Sequence, residues 1–443
     1  MKIRLSDHFT YRRLMRFVLP SIIMMIVTSV YSIVDGFFVS NFVGKSAFAA
    51  VNLIMPFLMA LSAFGFMIGT GGSALVAKTM GEGDRRRANQ YFSMLIYVMA
   101  AVGAAFSVVG FIFIRPIATA LGASPAILDD CVLYGRILLA SNTAFMLQNA
   151  FQSFLVTAEK PKFGLAISIM AGLMNVALDF LLVYVFPFGL AGAAVATAVS
   201  QATGAAVPLL YFLTRKNAVL RLTKAKFDGK ALLRSCANGS SEMLTNISSS
   251  FVSMLYNFQL MKIAGENGVA AYGVIMYVNF IFMAFYFGFS IGSSPVCSYH
   301  YGAGNHTELK GLFRKSLVII GAAALVMTAL AEILAHPLSG LFVGYDTKLL
   351  AITCSAFRLY SLSFLVAGFN IFGSAFFTAL NNGVLSAVIS FLRTLVFQVA
   401  AILILPALFG LGGVWIALVV AEGFTLFATV PLLAAKRKQY HYA

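Results

Sequence analysis

Apolar residues in this chain come in long runs, broken at short joints rich in charge, Gly, Pro or Asn. A bilayer crossing needs about 20 consecutive apolar residues. Cutting the 443 residues at those joints gives twelve such runs: 14–40, 47–77, 88–114, 132–157, 163–185, 190–213, 236–262, 270–298, 309–334, 350–379, 384–408 and 411–435. The pattern predicts an all-α membrane protein of twelve transmembrane helices. Its backbone groups would be paired within each segment, since lipid offers them no partner.

The chain also repeats itself at an offset of 221 residues, on a diagonal read without a gap. Gly44 falls on Gly265, Gly71 on Gly292, Gly81 on Gly302, Gly83 on Gly304, Pro116 on Pro337 and Asn149 on Asn370. Phe188, Gly189, Leu190 and Gly192 fall on Phe409, Gly410, Leu411 and Gly413. Apolar residues match by chance, whereas Gly, Pro and Asn at one fixed offset require duplication. Each copy holds six runs, an even number, so both begin on the same side of the membrane. The expectation is an N-terminal six-helix lobe over 1–213, a basic linker over 214–235 and a C-terminal six-helix lobe over 236–443. A pseudo-two-fold axis along the membrane normal would relate the lobes, with substrate in the cleft between them.

Charge adds an orientation. The formal net charge of +16 suggests nucleic acid only until its distribution is read. Lys2, Arg4, Arg12, Arg13 and Arg16 precede the first run; Lys78 and Arg85 to Arg87 follow the second; Lys160 and Lys162 follow the fourth. Seven Lys and Arg, Lys216 among them, occupy the linker; Lys310, Arg314 and Lys315 follow the eighth run, and Lys436 to Lys438 the last. The opposite loops hold little more than Lys45, Arg115, Lys262 and Lys348. By the positive-inside rule both termini are cytoplasmic. The linker is either a solvated loop or a contact for anionic lipid headgroups.

Against 60% hydrophobic residues, 10% charged and a mean hydropathy of +0.90, polar groups inside the runs stand out. Asn175 and Asp179 are four apart, one above the other on a helical face. An ionised carboxylate at the bilayer centre costs about 2.5–3.5 kcal/mol on insertion scales, so such residues mark ion paths. Asp35 ends the first run at a similar depth, about 9 Å inside the outer face by helical rise. Thr197 reaches that level from the sixth run, and Tyr31, one turn before Asp35 on the same face, is a candidate substrate-binding residue of the cleft. Asp, Asn and Thr oxygens suit a hard cation, and the same carboxylates can carry a proton. Two carboxylates brought together cannot both ionise cheaply.

Asp35 before a Gly-containing loop, the NxxxD of Asn175 and Asp179, and the run Gly189 to Thr197 with Ser200 and Gln201 behind it resemble the multidrug and toxic compound extrusion (MATE) family. So do the twelve runs in two lobes. The resemblance covers nearly the whole chain. It implies an antiporter that exports organic cations or amphipathic compounds in exchange for H⁺ or Na⁺, with Asp35, Asn175, Asp179 and Thr197 as the first-lobe cation site. It also matches Asn149 to a further polar position there. Na⁺ or H⁺ is the one coupling species expected, and no cofactor. The second lobe has no twin of this site: Asp35 becomes Tyr256, Asn175 Val396, Asp179 Ala400 and Thr197 Leu418.

Glu242 and Glu422 are the second lobe's intramembrane carboxylates, either lining the cleft for a cationic substrate or, for Glu422, pairing with Arg358 or Arg393. Glu332 is expected to meet interfacial water or His336. Forty-two Phe and 19 Met suit a cleft that repacks around varied hydrophobic cations. A flippase for lipid-linked sugars of the same superfamily is the alternative, disfavoured because the charge inside the runs is mainly acidic. No GxxxxGK[ST], HExxH or GxSxG is present, the four Cys form no CxxC, and no enzyme, nucleic-acid partner or obligate protein partner is implied. The first run is too long for a cleavable signal and is expected to insert as a span. The expected location is a bacterial cytoplasmic membrane.

Overall fold

A computed structural model describes residues 3–215, 217–344 and 346–442, without the side chain of Lys45. Lys2 and Lys216, two of the bases used to orient the chain, lie outside the described residues. In the first half the helices are α1 Tyr11–Val43, α2 Ser46–Gly81, α3 Arg85–Ala120, α4 Pro125–Thr157, α5 Pro161–Val185 and α6 Gly189–Thr214. Helix Gly229–Gly302 breaks at Gly265 into α7 (229–264) and α8 (266–302). Then come α9 His306–Val343 and α10, Thr347–Ser361 plus Phe364–Ala379 bent by 47°. Helix Gly383–Tyr440 breaks at Gly410 into α11 (383–409) and α12 (411–440). Among the described residues eight continuous helices are long and apolar enough to cross a membrane, and α10 makes a ninth as a bent span. This is an all-helical integral membrane protein.

The breaks follow from glycine. Gly44 and Gly265 have φ of 123° and 61°, and Gly189 and Gly410 have 59° and 57°. A side chain resists that region, so glycine turns the chain there at each 221-residue pair. The diagonal does slip once: Glu159 (φ 60°) is matched by Asn381 (φ 57°), 222 residues on. A residue is therefore inserted in the turn before α11 and lost before Gly410. The linker is also shorter than expected, because Asp228 caps a helix that already begins at Gly229.

Contacts between the halves are reciprocal. A Cβ on Gly71 would meet Gly239, and one on Gly292 would meet Val18, the same pair with the copies exchanged. One on Gly81 would meet the Tyr299 carbonyl oxygen at 2.0 Å, and one on Gly302 the Lys78 carbonyl oxygen at 2.1 Å. These glycines let α2 cross α7 and α8, and α1 cross α8, at close range, and all lie toward the end of the bundle that carries the basic loops.

Packing differs between the two ends. At the basic end one continuous core joins Phe17, Val18, Met80, Phe92, Phe154 and Phe212 of the first half to Val296, Leu309 and Phe376 of the second. At the opposite end the first half has a core of its own, built from Val39, Ile54, Ile114, Tyr134, Val183 and Leu190. The halves thus share a core at the basic end, whereas toward the other end the first half has a core of its own and Ser29 on α1 still reaches the Phe280 carbonyl on α8.

Candidate functional site

The separate core of the first half surrounds the polar residues singled out from the sequence. Asp35 lies in the last turn of the regular part of α1, which ends at Phe38 and passes into a π-helical stretch at Val39–Val43. Asp179 immediately precedes another at Phe180–Val185. π-Helical turns are rare and concentrate at functional sites, because the wider turn re-aims side chains and frees backbone groups. Here both carboxylates are turned inward. Asp35 and Asp179 adjoin one another closely enough for their carboxyl groups to share a hydrogen bond when one is protonated.

Thr197 on α6 donates to Asp35 Oδ1 at 3.3 Å, and Asn175 Nδ2 donates to Thr197 Oγ1 at 3.5 Å, both at the long end for a hydrogen bond. Asn175 is buried and Asp179 is 0% exposed. Asn175 Oδ1 and both Asp179 carboxylate oxygens have no hydrogen-bond partner. Buried, unpaired oxygens are costly unless a proton or cation meets them. The set Asp35, Asp179, Asn175 and Thr197 fits either. No group of three or more His, Cys, Asp or Glu poised for a metal occurs among the described residues.

Tyr31 stacks its ring against Gly172 on α5, 3.0 Å from where a Cβ would stand, and interacts electrostatically with Asp35. Tyr134 on α4 is a residue the sequence reading missed. It is fully buried, its hydroxyl has no partner, and it interacts electrostatically with both Asp35 and Asp179. A lone Tyr in an apolar run carries no signal by itself, so only the packing of α4 against α2, α3 and α6 identifies it.

Asn149 does not join this group. It lies fifteen residues beyond Tyr134 on α4, about 22 Å along the axis, and its backbone carbonyl faces Gly69 at the fused end. The match to a first-half ion position fails because α4 runs away from the carboxylates toward the basic end. Its side-chain amide is buried and unpartnered there.

In the second half Asn370, at the position matching Asn149, donates to Glu422 Oε2 at 2.7 Å and to its carbonyl oxygen at 2.9 Å. Arg393 Nε and Nη2 both reach Glu422 Oε1 at 2.7 Å. Glu422 is 1% exposed. It therefore stands as a buried ion pair rather than as an open lining residue, and of the two partners considered it takes Arg393. Arg393 sits in a further π-helical stretch, Leu392–Phe397. Glu242 on α7 lies in the field of Arg393, and its carboxylate makes no such paired contact. Glu332 accepts from Ser361 at 2.9 Å and lies 3.9 Å from Arg358, and it is not paired with His336. Where the first half has Asp35, the second has Tyr256 stacked on Tyr272 at 4.9 Å.

The MatE family model matches the chain twice, over residues 20–181 and 242–404. Multidrug export protein MepA of Staphylococcus aureus (strain MRSA252) is 24% identical over 431 residues, covering 95% of this chain and 92% of the relative. MepA of Staphylococcus haemolyticus (strain JCSC1435) is 23% identical over 435 residues, covering 97% and 94%. A solved outward-facing conformation of a multidrug resistance MATE family transporter superposes with a TM-score of 0.92 at 22% identity, covering 99% of this chain and 98% of that one. A MATE in the bent conformation gives 0.86 at 23% identity, with 98% of each covered. These structures share the fold. Since the two matched stretches fall one in each half and together span most of the sequence, the chain belongs to the MatE family.

Proposed function

We propose that this protein is a secondary active multidrug exporter that expels organic cations or amphipathic compounds in exchange for H⁺ or Na⁺. It is a transporter and not an enzyme. The MepA relatives are named as multidrug export proteins. The observation that carries the coupling is the facing pair Asp35 and Asp179 with its orphaned oxygens, held beside the first half's own core. Taking each side of the Gly265 and Gly410 breaks as one crossing, with α10 as one and α4 as another, the bundle has twelve spans in two six-helix lobes about an axis along the membrane normal. The basic end is cytoplasmic and holds both termini. The fused basic end then makes the described state outward-facing.

In this reading an external H⁺ or Na⁺ enters between Asp35 and Asp179, neutralises the pair and changes how α1 packs against α5 and α6. The altered packing weakens substrate binding in the cleft, where Tyr31 and Glu242 face the cargo. Each positive charge moved inward contributes about 2.3 kcal/mol per 100 mV. Acidic groups at the cleft favour cationic cargo over the phosphate of a lipid-linked sugar, which the alternative flippase would require. The test is efflux of a fluorescent cation from proteoliposomes under an imposed H⁺ or Na⁺ gradient, one at a time. Asp35→Asn and Asp179→Asn are expected to abolish gradient-driven efflux; unchanged efflux in both overturns the mechanism.

A further inference from the structure

We propose that residues 3–10, ahead of α1, form a strap that ties the first half to the second at the basic end and holds the inner gate shut. The segment is not helical, yet it is anchored as firmly as a core element. Leu5 and Phe9 are both 0% exposed. A local turn shapes it: Arg4 N donates to Asp7 Oδ2 at 3.1 Å, and Arg13 Nη1 to the His8 carbonyl at 3.0 Å.

Its partners lie in both halves. Leu5 N donates to Glu159 Oε1 at 3.0 Å, in the turn between α4 and α5. In the second half Glu308, at the start of α9, receives Phe9 N on Oε1 at 2.8 Å and meets His8 Nδ1 through Oε2 at 2.6 Å. Lys315 donates to the Phe9 carbonyl, and the Phe9 ring stands edge-on to His300 at 6.3 Å. Glu308 is itself buried, so its carboxylate depends on these donors. Glu159, the first-half partner, has φ of 60° without being glycine, a conformation tolerated where surrounding contacts hold it.

The linker has the complementary placement. Leading into α7, it lies along α3 of the first half, with Arg221 N on Asn89 Oδ1 at 2.7 Å, Thr223 N on Ser93 Oγ at 2.9 Å and Tyr97 donating to the Thr223 carbonyl at 3.1 Å. The third helix of each half thus receives the leader of the other half's first helix. The linker is bound to its host half covalently, through α6. Residues 3–10 hold α9 by contacts alone, so this crossing is the one that can release when the basic ends part. Among the described residues the C-terminal segment stays within the second half, where Tyr442 packs on Phe313 and Phe376.

The inference rests on the alternating-access reading, and its test separates the two. In a background with the four cysteines replaced by alanine, spin labels at Lys162→Cys and Lys310→Cys, exposed positions at the basic ends of the two halves, report gate opening in proteoliposomes. Glu308→Gln, Glu159→Gln and deletion of residues 3–9 are compared with the parent, each checked for a monodisperse profile. The expected result is a rise of about tenfold in the open-gate population for Glu308→Gln, the loss of one charge-assisted anchor, and at least as much for the deletion. A single cysteine at Leu5→Cys should react with a maleimide in step with opening. If the parent opens with ions and substrate but the three variants follow it unchanged, the strap is overturned. If no condition or variant changes the distance, both the strap and alternating access are overturned.

Discussion

Substituting Gly239 by alanine probes the joint between the halves. A Cβ there would stand 1.9 Å from the Met67 carbonyl oxygen and 3.0 Å from Gly71 N. Both neighbours are backbone, so no rotamer relieves the clash. To restore an ordinary contact of roughly 3.4 Å, α2 and α7 must part by about 1.5 Å at the crossing. Overpacking of this kind costs about 1–3 kcal/mol. That strain falls on the arrangement with fused basic ends and is absent once they separate, a shift of about 5- to 150-fold in population. The distance between labels on Lys162→Cys and Lys310→Cys reads it directly. Gly239→Ala should lengthen that distance without any ligand, and Gly81→Ala should do the same, since its Cβ would meet the Tyr299 carbonyl oxygen at 2.0 Å. Gly340→Ala, with nothing within 4 Å, should not. A Gly239→Ala distribution superimposable on that of the parent, in a monodisperse protein, refutes the reasoning.

Further outcomes follow from the buried polar groups. Arg393→Met leaves Glu422 buried without its cation and should cost about 3–5 kcal/mol, with Arg393→Met/Glu422→Leu recovering most of it; melting midpoints in detergent check this, and a single variant as stable as the parent contradicts it. Tyr134→Phe removes one hydroxyl from the carboxylate pair and keeps the ring, so the ion concentration for half-maximal efflux should move by about threefold or more while the melting midpoint stays. Asn149→Ala should leave that ion dependence unchanged, since about 22 Å of helix separate it from Tyr134; a change as large as that of Tyr134→Phe would place it back at the site.

Sequence alone was enough for what depends on local composition and on duplication. Runs of apolar residues name the helices because lipid leaves the backbone no other partner. Matched glycines name the breaks, because positive φ at Gly44 and Gly265, or at Gly189 and Gly410, is a property of the residue itself. Asp35 and Asp179 were legible since a carboxylate in an apolar run is costly wherever its helix packs. Only the tertiary structure decided which polar groups meet. Helix rotation and depth brought Tyr134 to the carboxylates and left Asn149 near the basic end, joined Glu422 to Arg393 and Asn370, and carried Leu5 and Phe9 across to both halves. Such pairings are set by how helices pack against one another, from 29 residues apart for Arg393 and Glu422 to 299 for Phe9 and Glu308, which no local pattern encodes.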